Sequence, residues 1–286
     1  MLGEKPGRLL PKPRWLKCKI CDGVIYRRVR DILDSGGVRT VCWESCCPNT
    51  GECFSRGTAA VLILGSRCTR SCRFCGIGGG PTEPPDPDEP ARVAEAVRQL
   101  GLRYVVITSV TRDDLPDGGA EQFAVTVKEL RARVKDIRVE VLIPDFAGSE
   151  KALRTVVSVR PDVIAHNLDT VQRLFPRIRP EADYGRSLAL LASARTLDPG
   201  ILTKSGLMLG MGESPAEVEE ALRDLISAGC RVVTIGQYIA PSRGHAPVER
   251  FVPPDEFTAW RETALEMGFT TVSSGPLVRS SYRAGE

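Results

Sequence analysis

Long hydrophobic runs are missing from this chain of 286 residues. No stretch of about 18 apolar residues occurs, which excludes a membrane-spanning helix. The opening residues Met1-Leu2-Gly3-Glu4-Lys5-Pro6 carry no apolar export segment, so a cytoplasmic location is expected. An excess of charge is lacking too. The 39 Lys and Arg are nearly matched by 36 Asp and Glu, and a formal charge of +3 is too small to imply a nucleic-acid partner. Histidine is scarce, with His166 and His245 the only two, and beyond Cys75 the single cysteine is Cys230. What remains is ample for folding: 42% hydrophobic residues suffice for one large domain with a buried core.

The cysteines are concentrated instead, nine of the ten lying within the first 75 residues. In a secreted protein they could close disulfides, but disulfide-framed chains are small and loop-rich, and this one is neither. Metal-bound thiolates in a reducing compartment fit better. Cys68, Cys72 and Cys75 follow a C-x3-C-x2-C spacing, and Cys42, Cys47 and Cys53 follow C-x4-C-x5-C. Three thiolates hold three irons of a cubane and leave the fourth iron to another ligand. Two [4Fe–4S] clusters are therefore expected, each with one open corner. Zinc wants four protein ligands, usually in paired C-x2-C spacings, and a triplet directly after a strand suits it poorly. Gly78-Gly79-Gly80 lacks the residue order of a phosphate-binding loop and reads as a turn.

Short Val- and Ile-rich runs at 59–64, 104–108, 139–143, 162–165, 201–209 and 231–235 have the character of strands buried on both faces. Helical patterns lie between them. Pro90 precedes a face of Val93, Val97 and Leu100. Ser214-Pro215-Ala216-Glu217 is a capping box, followed by Val218, Leu222, Leu225 and Ile226 and a stop at Gly229. Phe257, Trp260, Ala264 and Met267 predict a last helix ending at Gly268. Alternation of this kind implies an α/β fold with a parallel sheet, and six units predict a partial (β/α)6 TIM-type barrel. Residues 1–57 read as an N-terminal cysteine-rich extension with a short helix near 27–35, residues 58–275 as the barrel, and 276–286 as a C-terminal segment covering its mouth. The Pro-rich stretch 81–90 is a surface linker inside the domain, and the downstream triplet falls at the C-terminal mouth, where sites on this architecture collect.

The C-x3-C-x2-C run with Phe74 ahead of its last cysteine resembles the radical S-adenosylmethionine superfamily. That resemblance implies that the cofactor binds the fourth iron through its amino and carboxylate groups and is cleaved by one electron to a 5′-deoxyadenosyl radical. The upstream triplet, set in the segment 41–54, is similar to the auxiliary-cluster motif of the lipoyl synthase family. Stretches 108–115, 140–146, 166–171, 203–208 and 236–243, with Arg279-Ser280-Ser281-Tyr282 near the end, carry the likeness over nearly the whole chain. The resemblance implies insertion of two sulfur atoms, at carbons 6 and 8 of an octanoyl chain on a carrier lysine, with two S-adenosylmethionine molecules cleaved. It assigns Ser281, next to Ser280, as the fourth ligand of the auxiliary cluster. A serine oxygen is harder than a thiolate and less suited to cluster iron. That corner is expected to be labile and the cluster to be the sulfur source.

Phe74, Thr108, Ser109, Asn167, Lys204 and Gln237, in or near these stretches, are expected to hold S-adenosylmethionine or octanoyl-lysine, or else to cap strand ends. His166 reads equally as a structural histidine. The implied partners are octanoylated carrier domains, namely the lipoyl-bearing subunits of 2-oxoacid dehydrogenases and the glycine cleavage H protein. Arg243 and Lys204 would meet an acidic carrier surface. A low-potential donor such as ferredoxin or flavodoxin and an iron–sulfur carrier complete the set, with neither nucleic acid nor membrane. Cys18 and Cys21, Cys46, Gly76 and Gly244 depart from the family pattern, and Cys230 reads as a small apolar residue. A methylthiotransferase would want a nucleic-acid-binding appendage, and none is evident after Tyr282. A two-cluster electron carrier would not need so long a β/α framework.

Overall fold

A computed structural model describes residues 11–18 and 22–285. One eight-stranded sheet runs in sequence order. β1 (Arg39–Thr40) pairs antiparallel with β2 (Ala60–Ile63), and parallel pairing then continues through β3 (Tyr104–Ser109), β4 (Arg138–Leu142), β5 (Val163–Ala165), β6 (Leu202–Leu209), β7 (Val232–Gln237) and β8 (Thr271–Gly275). β1 and β8 do not pair, so the curl stays open, as a partial barrel does. The six predicted runs are β2 to β7. β8 is additional: of its five residues only Val272 is buried, which leaves too little apolar pattern to read.

In the extension lie α1 (Val24–Ser35), α2 (Val41–Glu44) and α3 (Thr50–Ser55). The crossovers bring α4 (Glu89–Leu100), α5 (Ala120–Arg133), α6 (Glu150–Ser158), α7 (Phe175–Ile178), α8 (Tyr184–Leu197), α9 (Pro215–Ser227) and α10 (Pro254–Glu266). In α9 the Ser214–Glu217 capping box forms, and Val218, Ala221, Leu222 and Leu225 are buried. Each such leucine contributes roughly 1.5–3 kcal/mol by leaving water. α4 stops where Gly101 turns left-handed, at φ 68°. Among the described residues no helix is long and apolar enough to cross a membrane.

The C-terminal segment does more than cover the mouth; it lies against the inner face of the sheet. In parallel strands alternate residues point inward. Two of the inward positions are glycine, Gly206 on β6 and Gly236 on β7. A Cβ at 206 would lie 3.1 Å from Ser280 Oγ and 2.7 Å from Thr234 Oγ1, and one at 236 would collide with the Val278 carbonyl. Further on, Arg138 Nη2 donates to Gly285 O at 3.3 Å, beside Tyr104. The segment is also strapped to the extension: Asn49 Nδ2 donates to Leu277 O at 2.6 Å, and Tyr282 OH and Arg283 Nη2 each donate to Glu52 Oε1 at 3.0 Å.

Gly236→Ala should therefore unseat the segment, lowering stability by about 1–3 kcal/mol through overpacking. A reduced unfolding midpoint together with faster proteolysis within 276–285 checks this. Gly23→Ala, where a Cβ meets nothing within 4 Å, should leave both unchanged.

Candidate active site

β2 delivers the downstream triplet to the C-terminal edge of the sheet. Past Ile63 the chain turns through two residues at positive φ, Leu64 at 67° and Gly65 at 86°. Leu64 N donates to Glu89 Oε2 at 3.0 Å, which fixes the turn. Cys68, Cys72 and Cys75 follow, each half-buried. Their loop is held from several sides: Thr69 N donates to Thr111 O, Arg73 N to Ile178 O and Ala246 N to Arg73 O. His245 Nε2 lies 2.9 Å from the Cys75 carbonyl. Arg70, within the loop, is buried and grips Asp113 through Nε at 2.6 Å and Nη2 at 2.8 Å, and Asp145 through Nη2 at 2.6 Å. Asp145 also accepts from Arg186 Nε at 2.8 Å. Burial opposes the Asp145 charge, but Arg70 outweighs it and holds the carboxyl well below the usual carboxylate range.

The upstream triplet is built on two short helices. Thr40 caps α2 by accepting from Trp43 N at 3.3 Å, and this places Cys42 in the core. Cys47 N donates to Cys42 O at 2.9 Å, and Thr50 Oγ1 bridges the Cys42 and Cys47 carbonyls at 3.0 and 2.8 Å. Cys53, in α3, is half-buried like Cys47. Cys46 is exposed and left-handed, at φ 53°. Cys53 feels the charges of Cys42 and Cys47, so these three thiols share one neighbourhood.

Burial pushes the Cys42 thiol up to about 11, Cys53 to about 12, Cys72 to about 11 and Cys75 to about 12. Without a cation these groups are neutral thiols, and a metal must displace their protons to bind. Among the described residues no three His, Cys, Asp or Glu side chains gather closely enough for one metal ion. A cubane carries its ligands on separate corners and needs a wider spread. The triplets suit that better than a mononuclear ion.

Both triplets border one cavity of ≈ 630 Å³, within the range of small-molecule sites. Cys42, Cys47, Cys68, Cys72 and Cys75 line it, while Cys53 stands outside the lining. Ser280 and Ser281 reach the same wall from the C-terminal segment. Ser280 Oγ is engaged, accepting from Asn167 Nδ2 at 2.6 Å, whereas the Ser281 hydroxyl has no partner among the described residues. Ser109 Oγ and Asn167 Oδ1 are buried on the cavity wall with no hydrogen bond. Leaving such atoms unpaired costs about 1–3 kcal/mol each, so this wall fits a polar ligand such as S-adenosylmethionine. Phe74 and Thr108 also line the cavity, Thr108 with its hydroxyl turned to Leu142 O at 3.0 Å.

Of the two roles expected for Lys204 and Gln237, the structure places both residues in the structural one, joining strands and loops. Lys204 is buried against Glu140, with Nζ–O distances of 2.8 and 3.0 Å, and Tyr104 OH donates to the same carboxylate at 2.6 Å. That pairing also removes Lys204 from any carrier-facing surface. Gln237 donates to the Leu209, Tyr238 and Arg250 carbonyls and accepts from Val252 N at 2.7 Å. Neither residue lines the cavity, because their polar groups are consumed in joining strands and loops.

Three arginines and an aspartate not named as site residues also line the cavity: Arg70 and Arg179, and Arg279 and Asp169, which lie in stretches that carry the family likeness. Asp169 is buried at a left-handed φ of 65° and pairs with Arg179 at 3.3 Å. Arg179 Nη1 donates to the Asn167 and Leu168 carbonyls at 2.6 and 3.0 Å. Asp169 falls within the stretch 166–171, which could have marked it; no periodicity or spacing marks Arg70 or Arg179. Cys18 is exposed on the cavity rim, Cys21 lies outside the described residues, and Cys230 is buried as a small apolar residue would be.

A family model of the radical SAM superfamily matches residues 62–225. Proteins named lipoyl synthase are similar along nearly the whole chain. The one from Chlorobium phaeovibrioides is 53% identical over 281 residues, covering 98% of this chain and 99% of its own. That of Halorhodospira halophila is 55% identical over 275 residues, covering 96% and 82%. Among solved structures, methylornithine synthase (PylB) aligns with a TM-score of 0.55 at 13% identity, covering 79% of this chain and 76% of that one. HydG, a maturase of the [FeFe]-hydrogenase, aligns with 0.51 at 14%, covering 87% and 68%. At these identities the structural likeness concerns the fold alone.

His166 yields a pH prediction. Its Nδ1 lies 2.8 Å from Ile143 O and its Nε2 3.1 Å from Ser187 Oγ. Burial, with Arg179 adding to it, lowers its pKa from 6.5 to about 4. Between those values the unfolded chain binds a proton that the folded chain refuses, so stability rises with pH across the window and is lost as pH falls through it. Denaturant midpoints recorded across the window should fall more steeply for the native chain than for His166→Gln.

Proposed function

The chain belongs to the radical SAM superfamily and, within it, to the lipoyl synthase family, and we propose that it inserts two sulfur atoms into an octanoyl chain carried on a lysine of a carrier domain. The observation that carries this reading is the convergence of five of the six triplet cysteines, an uncommitted serine and the orphaned polar atoms of Ser109, Asn167 and Arg179 on a single cavity. Unactivated C–H bonds offer no acidic proton, so acid–base groups cannot open them. S-adenosylmethionine on a reduced [4Fe–4S] cluster supplies a 5′-deoxyadenosyl radical that can.

The protein's part is to bind, orient and exclude water. Cys68, Cys72 and Cys75 hold one cluster, on a loop that Arg70 ties to Asp113 and Asp145. The unpaired atoms of Ser109 and Asn167 on the cavity wall would hold S-adenosylmethionine. Phe74, Leu142, Ile143 and Met208 give the cavity apolar walls that suit an alkyl chain. Cys42, Cys47, Cys53 and Ser281 hold the auxiliary cluster, whose sulfide is the sulfur source. Ferredoxin or flavodoxin provides the low-potential electron, and an iron–sulfur carrier rebuilds the auxiliary cluster between turnovers.

Mass spectrometry of an octanoyl-lysine peptide after anaerobic reaction should show the gain of two sulfurs. No gain would defeat the activity while leaving the clusters in place. With sulfide-labelled clusters the label should pass into product, and an unlabelled product would remove the donor role. Ser281→Ala should still release 5′-deoxyadenosine but yield little sulfurated peptide, whereas Ser280→Ala should retain most of the sulfur insertion. The reverse pattern would move the ligand to Ser280.

A further inference from the structure

Three arginines face the cavity, and two of them have carboxylates. Arg70 is paired with Asp113 and Asp145, and Arg179 with Asp169. Arg279 has none among the described residues. The one hydrogen bond its side chain makes there runs from Nη1 to the carbonyl of its neighbour Val278, at 2.7 Å. Glycine at position 236 leaves it room, since a Cβ there would stand 3.3 Å from Arg279 Nη1. Arg279 lies close enough to Cys47 and Cys18 for its charge to act on both thiols. Arg279 is half-buried on the cavity wall, and a guanidinium partly withdrawn from water is favoured by an accompanying anion. Among the described residues no anionic side chain accompanies it, and the counter-charge is left to something the cavity binds.

We propose that Arg279 is the counter-cation of the auxiliary cluster and that its charge favours opening of the Ser281 corner. The proposal rests on the reading that Cys42, Cys47, Cys53 and Ser281 hold that cluster. An oxidised cubane core carries two positive charges; three thiolates and an alkoxide carry four negative ones, so the bound cluster is a dianion. Opening breaks one iron's bonds to the serine oxygen and to three bridging sulfides. The ferrous ion departs, water protonates the serine oxygen to the alcohol, and the resulting hydroxide leaves with the iron. Two positive charges and one negative charge go, no electron moves, and a trianion remains. A fixed cation stabilises a trianion more than a dianion at the same distance. Arg279 thus acts on the step that frees bridging sulfide, and an arginine left without a carboxylate of its own is free to do so.

The test uses the full-length chain with Cys68, Cys72 and Cys75 replaced by alanine, so that only the auxiliary cluster is loaded from ferrous iron and sulfide. Arg279→Gln and Arg279→Lys are made in that background. Iron and acid-labile sulfide are counted, and the loss of the first iron to a ferrous chelator is followed in time. Arg279→Gln should load its cluster and release that iron several-fold more slowly, while Arg279→Lys stays near the parent rate. Equal rates in all three, or faster release from Arg279→Gln, would overturn the proposal. Should Arg279→Gln fail to load, Arg279→Lys must still load and release iron normally, and a lysine variant that also fails would defeat the assignment of charge. Labelled-sulfide transfer in the native chain is scored separately: unlabelled product removes the donor reading without touching the iron-release comparison. Loss of bound iron must follow Cys42→Ala, and iron unaffected by that substitution would remove the ligand reading on which the proposal rests.

Discussion

The carbonyl of Val278 lies where a side chain of residue 236 would be, and only a hydrogen at that position lets the C-terminal segment enter the curl of the sheet. Gly206 does the same for Ser280 one strand away. From that clearance the site follows. The segment brings Ser280, Ser281 and Arg279 to a wall they could not reach from β8 otherwise, some 230 residues in sequence from the upstream triplet. Asn49 and Glu52 then fasten it to the short helices that carry Cys42, Cys47 and Cys53. An open barrel with an inserted segment can thus unite an N-terminal extension and a C-terminal end that no sheet pairing joins.

Around this frame, charge is distributed unevenly. Arg70 and Asp145 form a buried ion pair with carboxylate and guanidinium both satisfied, the condition under which such a pair is tolerated. Its effect is geometric: it ties the loop of the downstream triplet to the loops after β3 and β4, so that the thiols keep their positions when the protons leave. The thiols themselves are held neutral by burial. Cluster binding is therefore coupled to proton release and to the cations nearby, and the neighbouring arginines differ in how much of their charge is already spent.

The spacing of the triplets, the six Val/Ile-rich strands and the Ser214 capping box were legible from sequence because each is a local pattern with a local cause. β8 was not, since Thr271 to Gly275 offers one buried apolar residue and owes its place to β7. Lys204 and Gln237 illustrate the other failure. Gln237 ends β7 and Lys204 lies near the start of β6, and nothing local distinguishes a side chain that faces a ligand from one that turns to Glu140 or to the Arg250 carbonyl. Arg70 and Arg179 were missed for the same reason. Their significance lies in which carboxylate stands beside them, and Asp113, Asp145 and Asp169 come from three separate loops.

The two triplets leave one corner each, and their surroundings make those corners unlike. Near Cys72 and Cys75 stand Asp169 and the Asp169-paired Arg179, with the unpaired oxygens of Ser109 and Asn167 on the same wall. That mixture of acceptors and donors complements a zwitterionic ligand, whose ammonium and carboxylate need partners of both signs. Near Cys47 stands Arg279, which has no carboxylate among the described residues, beside a serine hydroxyl with no partner among them. A lone cation complements an anion and favours whichever state of that anion is more negative. The first corner is thus suited to retain a bound cofactor and the second to lose a metal. On the proposed reading, the same cubane chemistry in two electrostatic settings would serve as a radical source in one and a sulfur source in the other.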